Sequence, residues 1–225
     1  MWLGDIDGMD DKTKGILKPF NIPSDHLLID SEFYQAQMKC VFSEPIIEKR
    51  ILINKEAFIS NIRKKYSVDL SHLTDECQEH EKKVKRPVVF TETAVAEVIN
   101  AYDKILIEGF NVSEMRKLYE VLYDSSERNA KYTSWQSIKL IEAILAKLSL
   151  SVNNLDITSV MSPLYILHDY RILLDHLLSA DKISDTKQHI VATLGVQSFN
   201  DQESIYNEEI KRLNTLFNYL GVLSK

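Results

Sequence analysis

The sequence predicts a mainly α protein: a helical bundle with a small β-containing element at its N-terminus. Three observations predict it. From Lys55 onward, apolar residues recur at helical spacing in one segment after another. Short polar links carrying capping residues separate these segments, which favours antiparallel neighbours in a bundle. Before that point Gly4, Gly8, Gly15, Pro19, Pro23 and Pro45 gather around short apolar runs of strand-like character. The expected division is residues 1–53 as the N-terminal β-containing element and residues 54–225 as the helical bundle domain.

The elements follow in order. Runs 26–29, 38–42 and 50–53, each bounded by turn-formers, read as strands. Ala57, Phe58, Ile62 and Tyr66 open the helical period. Residues 72–86 are very polar and read as a solvated helix or linker, interrupted by Pro87-Val-Val-Phe90. Residues 93–108 place Val95, Val98, Ile99, Tyr102 and Leu106 on one face, with Gly109 as C-cap. Asn111 with Glu114 resembles a capping box before Met115, Leu118, Tyr119 and Leu122. Ser134 would cap a helix carrying Trp135, Ile138, Ile141, Leu145 and Leu148. Ser162-Pro163 supplies an N-cap and a proline at the first helical position, opening a helix over 162–180. Ser184 would open a shorter helix ending near Gly195. The last helix runs over 202–221, with Ile205, Tyr206, Ile210, Leu213 and Phe217 inward.

Composition narrows the function. Of 225 residues, 44% are hydrophobic and 27% charged, with only 6 Gly and 5 Pro, so the chain buries a real core. A net charge of −6 argues against a general polyanion binder and leaves only local contacts to nucleic acid. The two cysteines, Cys40 and Cys77, form no CxxC pair, which suits a reducing, cytoplasmic setting. The acidic start MWLGDIDGMDDK has no apolar h-region, and no apolar run reaches the roughly 18 residues a membrane span needs. The sequence holds no P-loop, GxGxxG, GxSxG or HExxH, so no cofactor is expected. Asp5, Asp7, Asp10 and Asp11 lack calcium-loop spacing. Cys77, His80 and His72 fall short of a zinc ligand set, so no metal is expected. The basic run Lys82, Lys83, Lys85 and Arg86 is partly cancelled by Glu76, Glu79 and Glu81.

The stretch 162–180 carries the chemistry. On a helical wheel Ile166, Leu167, Tyr170, Leu173, Leu174, Leu177 and Leu178 fill one broad arc. The opposite arc holds His168, Asp169, Arg171, Asp175 and His176, together with Leu164, Tyr165 and Ile172. Apolar residues among charges suit a partner surface that excludes water around a few polar groups. Arg171 and His176 project about 140° apart on an ideal helix. Two copies packed across a two-fold axis would bring the arginine of one towards the histidine of the other. A histidine titrating near neutrality can take or give the protons of RNA cleavage, and an arginine fork can bind the phosphate. Asp169 shares a face with His176 and would orient its ring. Tyr165 would stack a base and His168 would contact substrate. The plain alternative is a solvated face on which Arg171 pairs with Asp175 at i,i+4.

Arg171-Ile-Leu-Leu-Asp-His176, on a late helix of an all-α bundle, resembles the R-x4-6-H motif of the HEPN superfamily. The helix pattern over 94–225 is similar to that of the family. The resemblance implies a HEPN-like helical bundle acting as a metal-independent endoribonuclease. It implies a homodimer with a composite site, in prokaryotic antiphage defence or a toxin–antitoxin system. Arg171 and His176 would then be catalytic, with Asp169 in support. RNA would be the substrate, and a protein partner or antitoxin would be a further candidate. Leu164 and Ile172 would line the dimer interface. Many members carry a polar residue after the arginine. Ile172 at that place suits the alternative, a non-catalytic interaction module docking a partner protein through the Arg171/Ile172 face.

Overall fold

A computed structural model describes residues 8–20, 45–151, 155–175 and 177–225. The chain divides into two compact units, Met1–Glu44 and Pro45–Lys225. In the first, α1 (Asp11–Leu17) is capped by Asp10, whose carboxylate accepts from the Thr13 amide at 3.0 Å and the Thr13 hydroxyl at 2.7 Å. A 3₁₀ turn, Lys18–Phe20, follows. Runs 26–29 and 38–42, expected as strands, lie outside the described residues.

The described residues contain nine α-helices and no strand, so the expected β-containing element is not seen. The third expected strand, 50–53, lies within a helix, α2 (Ile47–Tyr66). A four-residue apolar run cannot by itself distinguish strand from helix. The longer pattern can: Ile51, Phe58, Ile59 and Ile62 are all buried, at spacings of three, four and seven. The second unit therefore begins at Pro45 rather than at residue 54, and all of α2 belongs to it.

The remaining helices are α3 (Thr74–Glu81), α4 (Glu92–Asp103), α5 (Val112–Leu122), α6 (Ser137–Leu148), α7 (Ile157–Asp175), α8 (Ala180–Leu194) and α9 (Gln202–Leu223). Several stop and start where local chemistry dictates. The Asn111 side chain accepts from the Ser113 and Glu114 amides at 3.1 and 3.2 Å, starting α5. Glu114 does not reach back to complete a capping box; it pairs with Lys117 instead. Gly195 ends α8 at φ 71°, a left-handed conformation that costs glycine little. Ser134, expected as a helix cap, instead closes a 3₁₀ turn ahead of α6.

α2 and α9 pack along their length in the same direction. At one end the Tyr206 hydroxyl donates to buried Glu48 at 2.9 Å. At the other, the Asn61 amide donates to the Gly221 carbonyl at 3.0 Å and the Ser224 hydroxyl at 3.2 Å. The centre of the unit is α7, which touches α4, α6, α8 and α9. Among the described residues no helix is long and apolar enough to cross a membrane.

Candidate functional site

The candidate site is built on α7 and the end of α4. α7 begins at Ile157, five residues ahead of the expected Ser162 cap, so Pro163 lies inside the helix. A proline there removes an N–H that would bond the Ser159 carbonyl. The Ser162 hydroxyl donates to that carbonyl instead, at 2.8 Å, and the helix continues. It ends at Asp175 rather than near residue 180. Ser179 caps α8, accepting from the Lys182 amide, so the expected Ser184 start is five residues late. Leu177, expected in the core, is fully exposed as a result.

The expected outer arc of α7 does not persist along the helix. Leu164, expected at a dimer interface, is 0% exposed in the chain's own core, beside Met161, Ile166 and Leu167. The physical reason is that α7 has four helical neighbours, so the solvent side of its first half is narrow, confined to residues such as Thr158, Ser159 and Ser162, and Leu164 falls under a neighbour. Ile172 is half-buried.

Arg171 is anchored. Its Nη1 donates to Asp103 at 2.9 Å and to Glu108 in a shorter contact. Asp103 is 0% exposed, Arg171 26% and Glu108 38%, so the cluster runs from the interior to the surface. Lys104 closes the outer end with a 2.8 Å bond to Glu108.

Backbone geometry explains how two carboxylates five residues apart reach one guanidinium. Past Asp103, α4 widens into a π-helical turn, Lys104–Glu108, before Gly109. Residues five apart diverge by about 140° on an α-helix. A π-turn bonds i to i+5 and brings those positions nearly in line. Gly109 allows the turn to close. A Cβ there would lie 2.5 Å from the Ile105 carbonyl oxygen and 2.8 Å from Cys77 Sγ.

Charge state follows burial. Desolvation raises the Asp103 carboxyl above the usual carboxylate range, against the opposing pull of Arg171. Burial acts on Glu108 too, but hydrogen bonds and charge from Lys104 and Arg171 outweigh it and hold Glu108 below the ordinary value. Asp169 is raised by burial and drawn back by His189 and His168. Its Oδ2 lies 3.7 Å from His189 Nε2.

The site residues expected from sequence are therefore only partly assembled. Arg171, Asp169 and His168 share one stretch of α7, with His168 exposed. His176, and the side chain of Asp175, lie outside the described residues. Tyr165 points its hydroxyl at Glu142 of α6 at 3.0 Å, and Lys139 Nζ lies 5.7 Å from the centre of its ring. That ring is already engaged within the chain, against its expected role in stacking a base. Tyr170 is core, donating to Gln202 at 2.6 Å and stacking on Phe199. Sequence reading missed Asp103, Glu108 and His189. Their sole signal was an aspartate within the apolar face of residues 93–108, a position that a buried carboxylate occupies only with a partner.

No protein-family model, curated protein or solved structure matches the chain.

Proposed function

We propose that the helical unit is a metal-independent endoribonuclease of HEPN type, acting as a homodimer in prokaryotic antiphage defence or a toxin–antitoxin system. The observation that supports this reading is the fixing of Arg171 between Asp103 and Glu108, five residues before His176. A guanidinium held by carboxylates is pre-oriented, and pre-orientation is what a phosphate-binding group contributes in a transition state. In the reaction, the RNA 2′-oxygen bonds to phosphorus and the bond from phosphorus to the 5′-oxygen breaks. The products are a 2′,3′-cyclic phosphate and a 5′-hydroxyl. His176 takes the 2′-hydroxyl proton or protonates the leaving oxygen. Glu108, on the surface side of the cluster, yields to the phosphate while buried Asp103 keeps Arg171 aligned.

The test is cleavage of a fluorescent RNA by wild type and His176→Ala. Loss of cleavage with unchanged melting temperature and sedimentation supports the reading; a variant that cleaves as wild type overturns it.

A second reading is favoured by the same cluster seen electrostatically. Arg171 and Lys104 are already paired with Asp103 and Glu108, so the cluster attracts a phosphate weakly. In that reading Arg171 is a structural pin and half-buried Ile172 marks a docking face for a partner protein. Ile172→Asp then abolishes association while His176→Ala is silent.

A further inference from the structure

The cleft between α2 and α3, away from α7, carries a separate feature. It has a volume of about 290 Å³, the small end of the range for ligand pockets. Lys55 enters it from α2. The residue is 5% exposed, and its ammonium forms no hydrogen bond to any described residue. Its nearest carboxylate oxygen, Glu56 Oε1, is 3.8 Å away, and it lies 5.4 Å from the centre of the buried Phe110 ring. The stem is buried, but Nζ itself opens on the cleft, where it presents three donors and a full charge. An occupant that accepts hydrogen bonds there meets a donor held in place by its buried stem.

The other lining groups restrict the occupant. Glu56 and Glu81 line the same cleft, with Ser71, His72, Thr74 and Gln78. One ammonium and two carboxylates repel a simple dianion such as phosphate. They suit a molecule carrying opposite charges a few ångströms apart, as Lys55 and Glu56 are. Metal is disfavoured by the lysine and by Cys77, whose thiol burial pushes upward and keeps protonated.

We propose that this cleft binds a small zwitterion of the α-amino-acid class. Its carboxylate accepts from Lys55 Nζ, its ammonium lies beside Glu56 and Glu81, and Ser71 and Thr74 meet its polar edge. The cleft backs onto Gly109, next to Glu108, but uses none of the groups that hold Arg171 and does not rest on any cleavage of RNA.

The experiment is thermal unfolding of the full chain with each of the common α-amino acids in turn, and with acetate and methylammonium as half-probes. At least one amino acid should raise the melting temperature by about 4 °C at ten times its dissociation constant. Neither half-probe should reproduce that rise. Lys55→Met keeps the stem packed on Phe110, should melt no lower than wild type without ligand, and should not respond. Glu56→Gln changes an exposed side chain, so it should fold normally and weaken the response at least tenfold in concentration. The proposal is overturned if no amino acid shifts the transition, if acetate alone gives the full rise, or if both variants respond as wild type does.

Discussion

Arg171 and Asp103 are 68 residues apart in sequence and 2.9 Å apart in space, and the carboxylate of the pair has no exposed surface. Such a pair stabilises a fold less by its attraction than by the penalty for separating it. Arg171→Met should therefore destabilise the bundle by about 2–3 kcal/mol, below the usual range for buried pairs because the arginine is a quarter exposed. Adding Asp103→Asn removes the stranded charge and should recover about half of the loss. Urea unfolding of the two variants reads both numbers. If Arg171→Met melts as wild type, the arginine is not an anchor.

Glu209 on α9 is 0% exposed, and neither carboxylate oxygen has a hydrogen-bond partner among the described residues. Burial raises its pKa well above the ordinary 4.5. A carboxyl group whose folded value is raised favours the fold fully below its unfolded value. That contribution falls as pH climbs from about 4.5 towards the folded value. Glu209→Gln should thus leave stability near pH 4 almost unchanged and raise it at pH 8. Equal effects at the two pH values would show that Glu209 does not titrate in this way.

Gly109 sits where a methyl group meets backbone. Gly109→Ala should cost about 1–3 kcal/mol, the range for forced overpacking, because the Ile105 carbonyl oxygen stands 2.5 Å from the added carbon. Trimming the neighbouring sulfur with Cys77→Ala should recover only a small part, since the backbone contact remains. Chemical denaturation of the single and double variants separates the two contacts. Full recovery in the double variant would place the strain on the sulfur instead.

Leu164 and Ile172 should behave differently, although both were expected on one interface. Leu164→Ala should destabilise by about 2–5 kcal/mol, as a cavity in a core does. Ile172→Ala, at a half-buried position, should cost less than half as much. Thermal unfolding of the two variants side by side is the check, and equal losses would remove the distinction.

The local sequence determined much of the helical architecture. Apolar spacing marked the later part of α2, α4 to α7 and α9, and chemistry within a turn or two marked Asn111 and Gly195 as ends. These signals are legible because helical period and capping depend on neighbours three or four residues away. The same locality misled at 50–53, where the run is too short to carry a period, and at Ser162, a residue type that caps helices but here bridges the gap left by a proline inside one. The candidate site was legible as a motif but not as a place. Arg171 was visible, but its partners were not, because Asp103 and Glu108 converge only through a π-turn and across a gap of more than sixty residues. The burial of Leu164 likewise depends on four helices gathering around α7. Periodicity tells a helix which of its sides is apolar. Only tertiary packing decides how many sides are covered, and which distant charge each buried charge must meet.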